Sequence, residues 1–334
     1  MTASGCLGEA SFDTGHESVG GWGLPIAPQY FSEFCIGGVA VELRGCNAAD
    51  VELGTQLEPF RSNCPSDVQI EVERVAHLAA ETGRSRFDSG STWRLYGSDA
   101  GLQFDFLAAV FKEQPIKRLL VDSQFHRGKL LLNEQCTAIL GHALCPLAYP
   151  LDELLIMHRL TQENAIELHG CGIVPAEGKG LLFVGHSGAG KSTTTRLWTE
   201  RESVEVLSDD RIILRRAHEE RLRISNRASR DGRNYTIRMY GTPWHGEAMY
   251  ASPANAPVQA IFILEHGLGN RLIALAPSDA VAELFARSFV PFHQHEYVDA
   301  ALQFLQEVVA AVPCYRYSFE PNESAVETIL KMRD

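Results

Sequence analysis

The residues best equipped to do chemistry form one run, Gly185-His186-Ser187-Gly188-Ala189-Gly190-Lys191-Ser192. Its glycines let the chain curl so that successive N–H groups point inward at phosphate oxygens. The helix expected to follow adds its positive N-terminal end. Lys191 has the reach for β- and γ-phosphates, and the Ser192 hydroxyl suits Mg²⁺. Gly185, Ser187, Gly188, Ala189, Gly190 and Thr193 complete the cradle. The spacing predicts a nucleoside triphosphate site. Further on, Ser208-Asp209-Asp210 closes an apolar stretch. Adjacent residues on an extended segment point to opposite faces, so the two carboxylates can take two jobs, one on a metal and one on an incoming nucleophile. His169-Gly170 ends the preceding strand. Its imidazole either orients an Asp and shares its proton or serves packing alone.

Such groups meet only if short elements deliver them to one sheet edge. Residues 181–184 read as a buried strand, 191–201 as a helix and 204–207 as a second strand, a compact βαβ-like unit. Open α/β sheets collect ligands at the carboxyl ends of their strands, where Lys191 and the Asp pair would arrive. Ile166-Glu167-Leu168-His169 supplies another strand. Further strands are expected at 212–214, 221–224, 258–264, 271–275 and 314–319, and helical periodicity runs through 278–289, 296–312 and the segment from Ser324.

The chain before residue 150 has a different character. A strand at 34–43 is interrupted at Gly37-Gly38, residues 68–73 alternate with period two, and 93–96 with 102–106 form a hairpin signature. Strands at 117–121 and 128–132 follow. Prolines between Pro146 and Pro150 mark a junction, after which 151–160 reads as an amphipathic helix. The expected organisation is a flexible leader over 1–28, a mostly antiparallel, β-rich domain over 29–148 and an α/β P-loop domain over 149–334.

Composition narrows the partners. The 334 residues carry a formal charge of −12, which argues against a nucleic-acid backbone or an anionic membrane as the main partner. Hydrophobic residues make up 45% and charged residues 22%, the balance of a soluble globular chain. The first residues read as no signal peptide, and no apolar run reaches spanning length. Eight cysteines stand scattered with no C-x-x-C pair, so reduced thiols and a cytoplasmic setting are expected. Six arginines, Arg221, Arg223, Arg227, Arg230, Arg233 and Arg238, make a local cationic stretch that suits either an acidic ligand or plain solvation. His293 and His295 read as surface or helix-cap residues rather than metal ligands.

In their order, His169-Gly170, the strand, Gly185 to Ser192 and Ser208-Asp209-Asp210 resemble the catalytic domain of HPr kinase/phosphorylase. They resemble still more the shorter HPr kinase-related proteins that modify peptides, lasso-peptide precursors among them, on serine. The likeness spans roughly residues 150–330. It implies a fold related to phosphoenolpyruvate carboxykinase and transfer of the ATP γ-phosphoryl group to a serine hydroxyl. It also implies Asp209 as general base assisted by His169, Asp210 and Ser192 on the metal side, and Lys191 as phosphate clamp. Where the bifunctional enzymes carry a glycine-rich signature, this chain has Tyr240-Gly241-Thr242-Pro243-Trp244-His245-Gly246-Glu247, which weakens any claim to phosphorylase activity. Glu247 is either a second-metal or water-positioning carboxylate or an exposed turn acid. Two rivals stay open: a small-metabolite kinase, and a nucleotide-gated binding module without transfer. The sequence leaves monomer, dimer and larger ring equally open.

Overall fold

The computed structural model describes residues 30–98, 101–218 and 235–333. The expected leader, the expected strand at 221–224 and the arginines from Arg221 to Arg233 lie outside the described residues. No helix among the described residues is long and apolar enough to cross a membrane.

Eight strands make the first sheet: β1 (Tyr30–Ile36), β2 (Val39–Gly45), β3 (Val68–Val75), β4 (Phe87–Asp88), β5 (Trp93–Ser98), β6 (Gly101–Phe106), β7 (Lys117–Val121) and β8 (Arg127–Asn133), in the order β1-β2-β3-β8-β7-β6-β5-β4. Gly37 and Gly38 turn the first hairpin at φ +57° and +78°, the left-handed pair that a two-residue turn of this hand requires. In β3 the alternation places Val68, Ile70 and Val72 in the core. Most pairings are antiparallel, as expected, but β2–β3 and β3–β8 run parallel. Local alternation is the same for both directions, so this could not be read from the pattern.

A short helix, α1 (Glu134–Leu140), precedes α2 (Leu151–Leu160). The apolar side of α2, with Leu151, Leu154, Leu155, Ile156 and Leu160, shares one core with Val41, Leu43, Ile70 and Leu130 of the first sheet. Ile213 and Trp244, from the chain beyond, join the same core.

The second sheet is built on β9 (Ala165–Pro175). β10 (Gly180–Val184) lies along one of its edges. After α3 (Lys191–Arg201), β11 (Val204–Ser208) and β12 (Arg211–His218) line the other. At Ile173 the strand has Leu181 of β10 on one side and Val206 of β11 on the other. The expected βαβ-like unit is thus present in an open form: β10 and β11 run parallel, are joined through α3 and have β9 between them. β13 (Tyr235–Tyr240) and β14 (Asn255–His266) follow, and β14 pairs with β13, β10 and β17 (Cys314–Phe319), whose outer neighbour is β15 (Arg271–Ala274).

α3 and α6 (Glu323–Arg333) cover one face of this sheet through Leu197, Trp198, Val326 and Ile329. α4 (Pro277–Phe285) and α5 (His295–Ala311) cover the other through Ala280, Leu284, Tyr297 and Phe304. The helix expected over 278–289 stops at Phe285. Ser288 and Phe289 form β16 instead, paired with Leu168 and Glu167 of β9.

Where α2 meets the first sheet and α5, His158 is 1% exposed, stacked on Phe125 at 4.9 Å and beside His293 at 5.2 Å. Its Nδ1–H donates to the Leu154 carbonyl at 2.6 Å. Burial pulls the His158 imidazole down to about 3, and burial likewise holds His293 at about 4. The unfolded chain, with an ordinary histidine, takes up the proton first, so stability falls as pH drops from 6.5 towards 3. Each such histidine adds a slope of about 1.4 kcal/mol per pH unit. Asp152, pushed up to about 6 by burial, acts in the opposite sense and cancels when two proteins differing only at His158 are compared. Urea unfolding between about pH 7.5 and 4.5 should therefore show a shallower acid decline for His158→Phe than for wild type. Parallel declines would mean that His158 is not held neutral by the fold.

Candidate active site

β10 is buried along its whole length, and its carboxyl end releases the chain into the glycine-rich loop. Gly188 sits at φ +79° with open space where a side chain would be, which leaves the loop interior free for a ligand. Gly190, at φ +102°, is the N-cap of α3, and a Cβ there would stand 2.6 Å from Phe319 Cζ. Both positions need glycine, one for close approach and one for packing. Ala189 N–H donates to His186 O at 3.0 Å and tightens the turn. Lys191 is buried, and its ammonium donates to Gly185 O at 3.0 Å and His186 O at 3.2 Å. It already points into the loop, so a phosphate oxygen would replace a carbonyl. Burial holds the Lys191 ammonium below its ordinary value, against the opposing pull of the Asp210 charge. Ser187 and Ser192 are exposed and Thr193 is half-buried.

The acidic pair lies where β11 passes into β12, directly against the loop. Gly170 N–H donates to Asp210 O at 3.0 Å, and Gly185 N–H donates to His169 O at 3.2 Å. The two aspartates form the bend between β11 and β12 and take different partners. Asp209 is 1% exposed and accepts backbone N–H groups from Gly246 at 3.0 Å, Ala248 at 2.9 Å and Tyr250 at 3.2 Å. Asp210 instead accepts from His169 Nε2 at 2.9 Å and is ion-paired with Arg211. Burial works against its ionisation, yet the His169 hydrogen bond and the Arg211 and Lys191 charges prevail and hold its carboxyl below the ordinary range. The expectation joined His169 to Asp209; the structure joins it to Asp210. The reason is register: β12 pairs Arg211 with His169, which brings Asp210 onto the imidazole, while the 246–250 turn closes around Asp209.

Glu247 belongs to that turn and is exposed. A Cβ at its neighbour Gly246 would meet Asp209 Oδ2 at 2.9 Å and Asp210 Cβ at 3.4 Å, so the turn lies on the acidic pair. His295 opens α5 and is exposed, whereas His293 is largely enclosed beside His158. Among the described residues no group of three or more His, Cys, Asp or Glu side chains is arranged to hold a metal ion. The Ser187 and Ser192 hydroxyls are both accessible at the loop, and the Asp210 carboxylate stands beside it. Such a donor set suits Mg²⁺ that arrives on the phosphates and keeps most of its water.

Several residues here were not anticipated. Arg287, just past the end of α4, gives its carbonyl to His169 N–H at 2.8 Å and its guanidinium to Glu283. The Arg287 charge, with burial, lowers the His186 imidazole below its ordinary value, so a cation from the far end of the chain acts on the phosphate loop. Arg211 directly follows the aspartates, and Glu167 interrupts an apolar strand two residues before His169. Either could have been flagged on those grounds; nothing in the sequence near residue 287 announces Arg287.

The family model described as an AAA domain, AAA_33, matches residues 181–241, from β10 through the loop, α3 and the aspartates to the end of β13. No curated protein matches the chain. Residues 181–241 are thus similar to a P-loop NTPase-like, kinase-type domain, and the matched stretch includes the glycine-rich loop from Gly185 to Ser192.

Proposed function

We propose that this protein is an ATP-dependent kinase of the HPr kinase-like type, which transfers the γ-phosphoryl group to a hydroxyl, most simply a serine of a peptide or protein. The observation that carries this reading is the His169–Asp210 pair, closed at 2.9 Å and tied through Gly170 and Gly185 backbone bonds to the mouth of the phosphate loop. Binding alone needs no such pair. Lys191 and the loop N–H groups hold the triphosphate and neutralise charge that grows on its oxygens during transfer. Ser192 would help to hold Mg²⁺ brought in on the phosphates, and the ion would supply further charge neutralisation there. Asp210 accepts the proton of the attacking hydroxyl, and His169 orients its carboxylate through Nε2. Asp209 takes a different part from the one the resemblance implies: it fixes the 246–250 turn over the site. The acceptor class is supported by the rim, where Tyr149, Met249 and Tyr250 stand exposed around that turn and the start of α2, as a surface for a polypeptide would.

The test follows label from γ-labelled ATP with Mg²⁺ and a size-fractionated extract of the protein's own cells. Acid-stable label on a serine of a polypeptide is the expected result. Label on a small molecule would favour a metabolite kinase, and label only in free phosphate, or none released, would leave an ATPase or binding module.

A further inference from the structure

Glu167 and His169 are two apart on β9 and share a face. Arg211 stands opposite His169 on β12, and Phe289 stands opposite Glu167 on β16, so all four side chains meet on that face. The Arg211 guanidinium lies 4.1 Å above the Phe289 ring. Its Nε reaches Glu153 of α2 at 3.0 Å and Glu167 at 3.3 Å, and its Nη1 is paired with Asp210. Glu167 is 1% exposed, and neither of its carboxylate oxygens has a hydrogen-bond partner of its own. Burial and the adjacent Glu153 raise it well above the ordinary carboxylate range. Two acids converging on one another in the interior are costly unless a cation serves both. A flat guanidinium with donors on several edges does this, where a lysine ammonium would not.

We infer that Arg211 is a positioning residue for the phosphoryl-transfer step, a guanidinium wedge clamped by Glu153, Glu167 and Phe289 that holds the Asp210 carboxylate against His169. The inference rests on the kinase reading proposed above. It also gives α2, and the first sheet that shares its core, a direct grip on the base. Glu153 is the link, since it belongs to the helix that packs into that sheet.

The site left by Arg211→Gly is a guanidinium-shaped hole between two acids and an aromatic face, so free methylguanidinium should fill it. The probe is label transferred from γ-labelled Mg·ATP to the polypeptide fraction of the cell extract. Arg211→Gly should lower turnover about 100-fold with the KM for ATP unchanged, as expected when a reacting group loses its alignment. Methylguanidinium should restore about 10-fold of that loss while methylammonium restores none. Adding Glu153→Gln and Glu167→Gln to Arg211→Gly should abolish the recovery. Should Arg211→Gly not fold, Arg211→Met combined with Glu153→Gln removes the charge imbalance and should show the same loss of turnover at an unchanged KM.

Full turnover without Arg211, or equal effects of the two cations, overturns the assignment. If the wild type transfers no label to the polypeptide fraction, the kinase reading fails separately. The clamp is then judged by melting: Arg211→Gly should be stabilised by methylguanidinium and not by methylammonium, and no difference overturns it.

Discussion

Lys191→Ala is expected to reduce γ-phosphoryl transfer by at least about a thousandfold and to weaken ATP binding with it, because one ammonium serves both ground and transition states. Lys191 is 7% exposed, and its ammonium rests on the carbonyls of Gly185 and His186. That arrangement keeps a desolvated cation at the centre of the loop, where water screens it little and an arriving phosphate meets it at full strength. Alanine leaves the two carbonyls pointing inward at an anion, which is worse than an empty site. Equilibrium binding of a fluorescent ATP analogue and single-turnover transfer would measure the two effects. Transfer at the wild-type rate by the Lys191→Ala variant would mean that the loop does not hold the reacting triphosphate.

The second large effect separates two neighbours. Asp210→Asn should keep ATP binding and the fold, with a melting temperature lowered by loss of the Arg211 ion pair, while losing transfer by about a thousandfold, since an amide next to His169 cannot take the proton. Asp209→Asn should instead strike the fold. Three backbone N–H groups converge on the Asp209 carboxylate, and an amide nitrogen there must oppose at least one of them. Loss of charge-assisted bonds at a buried site of this kind costs about 3 kcal/mol. The 246–250 turn should become protease-sensitive, with activity lost through disorder of the turn. The contrast is read by thermal unfolding, limited proteolysis and transfer on both variants. If Asp209→Asn melts like the wild type and has lost transfer while Asp210→Asn retains it, the base is Asp209, as the family resemblance implies.

The phosphate loop was legible because everything that makes it lies within about a dozen consecutive residues. The apolar run of β10, the positive-φ positions at Gly188 and Gly190 and the start of α3 are each dictated by nearest neighbours. For the same reason β3, β7, α2 and β17 lie close to their expected limits. That Asp209 and Asp210 meet different partners was expected from an extended segment, but the structure achieves it through a bend between β11 and β12.

Which aspartate meets His169 did not follow. That depends on the register between β9 and β12, set where Arg211 falls opposite His169, and on a turn 37 residues further on that closes over Asp209. A shift of one residue would exchange the two carboxylates, and nothing local opposes it. Only the burial of Ile212 and Leu214 on one face and Ile213 on the other selects the observed register. Arg287 and Glu153 reach the site in the same way, from the end of α4 and from α2, through helix packing that no short window records. Residue order alone was enough to predict a phosphate-type loop with a histidine and two acids brought to one sheet edge. Long-range packing chose which acid faces the histidine, because strand register is selected by the whole buried surface and not by the residues that do the chemistry.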